Sequence, residues 1–242
     1  MLNSDNYYLS SNIFIKKNKL YYEDNSSKTH KINSRNMFKY LAEYGWEKLP
    51  IEWRRKLNNN NFLLLDCGAD GNCLFHVIAE ALNNENLSLS ENENKDSIKL
   101  YDVTGLRKIA SDCINNENFT FIIESYKMEA ETGDFLGDWD PSKVNTFNEL
   151  QDEIIKEGDN FWGDHIILQL LGEKLQINFI IFNSPLGDEC SFYNSDLDNL
   201  KFDKTILIYY DSLVHFNLIG FFDGNLIKTA FTKPQIPDCI TF

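Results

Sequence analysis

The sequence predicts an α+β fold in which a small central β-sheet is flanked by helices. Two observations carry this. Apolar residues recur at helical spacing in several segments between about residues 35 and 175. Three β-branched and aromatic runs follow, at residues 177–182, 204–210 and 215–222, the last two close enough to pair as a hairpin.

In order along the chain, residues 1–61 read as an N-terminal helical extension. Ser34 is a candidate cap for a helix that stops at Gly45. Pro50 opens a second short helix with Trp53 and Leu57 four apart, and Asn58 to Asn61 form a polar linker. Trp46 and Trp53 are expected to pack on the domain. Residues 62–65 are a short apolar run, and residues 66–72 are rich in turn formers. From Cys73 the pattern is helical, with Val77, Ile78, Ala81 and Leu82 on one face. Residues 83–96 are polar and repetitive and read as a flexible surface loop. Helices are expected at 105–114, 119–131 and 147–156. Asp164 is a plausible N-cap for a further helix that buries Ile167, Leu168, Leu171 and Leu175. Residues 225–242 form a polar tail with two prolines.

Composition narrows the function classes. The chain has 242 residues, 43% hydrophobic and 25% charged, as expected of a globular protein with one sizeable core. No run of 18 apolar residues exists, so no membrane helix is expected, and the polar start carries no secretory pattern. A net charge of -14 disfavours nucleic acid as a partner. Five cysteines without a Cys-x-x-Cys pair point to reduced thiols in a cytoplasmic protein, not to zinc. The Asn, Ile and Lys content suggests an AT-rich genome. Such a source, a large DNA virus or an intracellular bacterium, would place the protein in a host cytosol.

The segment richest in chemical meaning is Asp70-Gly71-Asn72-Cys73-Leu74-Phe75. A cysteine at the first turn of a helix sits where the dipole and free N–H groups favour a thiolate. The same N–H groups can hold an oxyanion. Gly71 allows close backbone approach or unusual dihedrals. Taken alone, a buried structural cysteine explains this segment as well. About 140 residues further on, His215-Phe216-Asn217 opens a strand, with His215 and Asn217 on one side by alternation. A base of this kind needs a third group to fix its tautomer, and Asn217 stands where one could lie.

Residues 65–82 resemble the nucleophile segment of the ovarian tumour (OTU) family of cysteine proteases, which have a papain-like fold. Trp162-Gly163-Asp164 with the following helix and strand, and His215-Phe216-Asn217, are similar to two further family blocks. The family's Gly is replaced by Asp164, and its frequent Arg by His76. The resemblance implies an OTU-like catalytic domain over residues 62–224, with Cys73 as nucleophile and His215 as general base. It implies that Asp70 belongs to the catalytic set and that Asn217 orients the histidine. Backbone N–H groups of Asp70, Gly71 and Cys73 would form the oxyanion hole. The implied activity is a deubiquitinase: a thiol protease cleaving after the C-terminal Gly of ubiquitin, with ubiquitin or polyubiquitin as partner and no metal or organic cofactor. The alternatives are a hydrolase of another ubiquitin-like modifier and a non-catalytic ubiquitin-binding module. A monomer is expected.

Overall fold

A computed structural model of the chain describes residues 7–8, 12–68, 70–89, 100–187, 189–193, 199–211 and 215–240. It is α+β, as the sequence predicts, but strands also open the chain. β1 (Tyr7–Tyr8), β2 (Ile13–Ile15), β3 (Leu20–Glu23) and β4 (Thr29–Lys31) make an antiparallel meander in chain order.

The helical reading of residues 1–61 is therefore corrected. Among the described residues there, α-helix is confined to α1 (Met37–Leu41) and α2 (Ile51–Leu57). The cause is a tight turn at residues 16–19, where Lys17 and Asn18 take left-handed φ values of 51° and 55°. Lys16 and Lys19 exchange backbone hydrogen bonds across it. The turn folds the chain back so that Ile13, Ile15 and Leu20 are buried. Ser34 does not cap α1. Asn33 and Asn36 accept the local N–H groups instead, Asn36 Oδ1 from Asn33 N at 2.7 Å and Asn33 Oδ1 from Arg35 N at 2.9 Å.

The main sheet has the order β5 (Trp46–Lys48), β6 (Phe62–Leu65), β10 (His215–Phe222), β9 (Lys204–Asp211), β7 (Ile177–Asn183), β8 (Phe192–Tyr193). β11 (Ile227–Lys228) pairs with β10, and β12 (Ala230–Thr232) with β9, so part of the expected tail is sheet. β7 and β9 are parallel and the other pairs antiparallel. The expected hairpin is present as β9 and β10, while its connection at 212–214 lies outside the described residues.

Alternation along the strands splits the core in two. Leu63, Ile206, Ile208 and Leu218 share one cluster with α3 (Cys73–Leu89), α4 (Val103–Asp112), α5 (Phe119–Thr132), α6 (Phe147–Ile155) and α7 (His165–Leu175). Phe62, Leu207 and Ile219 join the other, which Trp53 and Leu57 of α2 close together with Phe231 and Ile236.

α3 also runs further than expected. Residues 83–89 are helical, not loop, because Asn83 is tied to Tyr101, donating to its carbonyl at 2.8 Å and accepting from its N–H at 2.7 Å. Residues 90–96 of that expected loop lie outside the described residues. No helix among the described residues is long and apolar enough to cross a membrane.

Candidate active site

The Asp70-to-Cys73 turn is held by its own side chains and by three other elements. Asp70 accepts from Asn72 N at 2.9 Å and from Asn72 Nδ2 at 3.1 Å. Partial burial raises the Asp70 carboxyl, but these two bonds outweigh it and keep it below the ordinary carboxylate range. Asp70 O accepts from Cys73 N at 3.0 Å, and Asn72 O from His76 N at 2.9 Å, which starts α3.

Gly71 is required by contact, not by dihedral angle, since its φ is not positive. A Cβ there would collide with the carbonyl oxygen of Gly158. Gly163 behaves alike: a Cβ would lie 2.8 Å from Leu74 Cδ2 and 3.2 Å from Phe75 Cε2, so the Trp162-Gly163 block presses on the first turn of α3. Asp164 caps α7 as expected, accepting from Ile167 N at 2.9 Å.

The strongest support of the turn comes from a residue that the sequence reading passed over. Arg107 of α4 is fully buried. Its Nε and Nη2 donate to Asn72 Oδ1 at 2.9 and 2.7 Å, and Nη2 also reaches Gly71 O and Phe161 O. Nη1 donates to Ile154 O at 3.0 Å, and the guanidinium lies 4.3 Å from the centre of the Phe75 ring. Burial lowers its pKa to about 10, which still leaves it charged at neutral pH. The available signal was an arginine on the buried side of α4, beside Leu106 and four residues before Ser111.

Cys73 is 2% exposed. Burial pushes its thiol up; the N–H groups of Phe216 and Leu74 counter this, and the nearby Asp70 and Asp66 carboxylates add to it. Cys73 and Phe216, the residue that follows His215, are buried in one core cluster, so blocks far apart in the chain meet here.

The other expected members are arranged differently from the reading. His215 Nε2 lies 3.1 Å from Asp66 Oδ1, and Asp66 was not among the candidates. Among the described residues no hydrogen bond joins His215 to Cys73, Asp70 or Asn217. Asn217 is 6% exposed and stands opposite Tyr209 in the sheet. Gly71 N donates to Asp159 Oδ1 at 3.3 Å and Cys73 N to Asp70 O. Two of the three N–H groups expected to hold an oxyanion thus have partners within the chain.

No protein-family model matches this chain, and no curated protein matches it. Among solved structures it is similar to an ovarian tumour (OTU) domain in complex with ubiquitin, with 20% identity over 72% of this chain and 77% of that one and a TM-score of 0.42. It is also similar to an OTU deubiquitinase from Wolbachia pipientis, with 14% identity, 66% and 89% coverage and a TM-score of 0.43. The OTU of Hazara virus bound to ubiquitin gives 14% identity, 90% and 94% coverage and a TM-score of 0.37. These three solved structures are OTU domains.

Proposed function

We propose that this chain is a cysteine-dependent hydrolase that cleaves the peptide or isopeptide bond after the C-terminal Gly of ubiquitin. Cys73 is its nucleophile and His215 its base. The observation that carries this reading is that Cys73, at the start of α3, is buried in the same core cluster as Phe216, the residue that follows His215. Ubiquitin as substrate rests on the resemblance of residues 65–82, 162–169 and 215–217 to the OTU family.

His215 takes the thiol proton, and the thiolate adds to the carbonyl carbon. The carbonyl oxygen becomes an oxyanion. The Gly71 N–H exchanges its long bond to Asp159 for that oxygen. The tetrahedral adduct collapses as the C–N bond breaks, and the imidazolium gives its proton to the leaving amine. A water then gives a proton to His215 and its oxygen to the acyl carbon, which releases the carboxylate and the thiol. These steps need no metal or organic cofactor.

A second reading, a non-catalytic ubiquitin-binding module, is favoured by the raised Cys73 thiol and by the lack of a Cys73–His215 hydrogen bond among the described residues. Ubiquitin carrying a C-terminal thiol-reactive group separates the two. A covalent adduct with the wild type and none with Cys73→Ala is expected. Reversible binding without an adduct sinks the hydrolase. Neither binding nor adduct, with a folded protein, turns the test to probes built on ubiquitin-like modifiers.

A further inference from the structure

We infer that Asp66 is the positioning residue for His215, the role that the sequence divides between Asn217 and Asp70. The inference rests on the hydrolase reading of Cys73 and His215.

The sheet register brings the pair together. β6 and β10 are antiparallel with Leu65 opposite Leu218, so the chain leaves β6 at Asp66 close to where β10 begins at His215. Asp66 Oδ1 is fixed by Gly68 N at 2.9 Å and lies 3.1 Å from His215 Nε2. The Gly68 N–H, against partial burial and with help from the imidazole, holds the Asp66 carboxyl below its ordinary range. It is therefore ionised at neutral pH and can only accept. Nε2 must then carry the hydrogen, which leaves the Nδ1 lone pair for the thiol proton.

The rival carboxylates have other posts. Asp70 is engaged twice by Asn72. The groups around His215 are Asp66 beyond β6, Asp211 opposite it on β9 and Tyr210 opposite Phe216. Asp211 supplies the control, because it offers negative charge on the strand opposite.

Three readouts test the inference on the full chain: kcat and KM on a ubiquitin substrate, iodoacetamide alkylation of Cys73 mapped by mass, and the His215 tautomer by ¹⁵N resonance. In Asp66→Ala, kcat should fall roughly 10²-fold with KM unchanged, the scale of a general-base contribution. Cys73 alkylation at neutral pH should fall with it, and the Nε2–H tautomer should lose its excess. Asp66→Asn, whose amide oxygen still accepts from Nε2, should keep more activity than Asp66→Ala. Unchanged alkylation and tautomer in Asp66→Ala, or an equal loss in Asp211→Asn, overturns the inference. If the wild type does not turn over ubiquitin but its Cys73 alkylation depends on Asp66, the ubiquitin reading fails and the positioning role stands.

Discussion

The Arg107 guanidinium donates to Asn72 Oδ1 through two nitrogens, Nε at 2.9 Å and Nη2 at 2.7 Å, from a fully buried position. Gly158 N adds a third donor to that oxygen at 3.2 Å. Asn72 directly precedes Cys73, so the side chain of one residue ties α4 and the 158–161 segment to the nucleophile turn.

Truncating Arg107 strips these bonds and leaves Asn72 Oδ1 and buried carbonyls short of donors. Arg107→Ala should destabilise the fold by about 3 kcal/mol, the scale of unsatisfied buried acceptors. Arg107→Lys keeps the charge but not the planar fork, so it should recover little of that loss. Denaturant midpoints measure both. Full stability in Arg107→Lys would show that charge alone holds the turn.

Gly163→Ala tests the pressure of the Trp162-Gly163 block on α3. The new methyl would meet Leu74 Cδ2 at 2.8 Å and Leu74 Cβ at 2.9 Å, the residue next to Cys73. A cost of about 1–3 kcal/mol is expected for overpacking at such a site. Activity of the folded variant should fall too, since relief comes only by shifting the start of α3. Thermal melts and turnover of the variant below its transition check the two effects separately.

The parts of this site that were legible in the sequence are those fixed within a few residues. Asp70, Gly71, Asn72 and Cys73 make a turn from local bonds and one close approach, and Asp164 caps the helix that follows it. The Asp66–His215 contact spans 149 residues and follows from strand register, which no local pattern encodes. Strands β1 to β4 are two to four residues long, below the length at which alternation is readable, and lie among Asn and Lys. Residues 83–89 look like loop by composition, yet the Asn83–Tyr101 bonds carry the helix through them.

Cys67 lies close enough to Cys73 for their charges to interact, yet its thiol is pushed up to about 12, first by burial and then by Glu80. A raised thiol pKa stabilises the folded state below the ordinary value near 9, and that stability is lost as pH rises toward about 12. Cys67 should therefore stay unmodified by iodoacetamide at pH 8 in the folded protein and react at once in denaturant. Mass mapping after timed quenching reads this. Rapid labelling of Cys67 in the folded state would show that burial does not protect this thiol.

Trp53 packs α2 against the main sheet. Its side chain is fully buried, its Nε1 donates to Asn183 O at 2.9 Å, and its ring lies 4.6 Å from those of Phe182 and Phe192. Trp46 opposite Leu65 makes β5 a partner of β6, whose end carries Asp66. Trp53→Ala should cost about 3–5 kcal/mol, as for other large-to-small changes in a core. It acts on the face of the sheet away from α3. The variant that remains folded in mild conditions should therefore keep the wild-type kcat while its unfolding midpoint drops. Deleting residues 1–61 removes Trp53 and β5 together and should leave no cooperative transition. A cooperative, active remainder after that deletion would establish residues 1–61 as a separable extension.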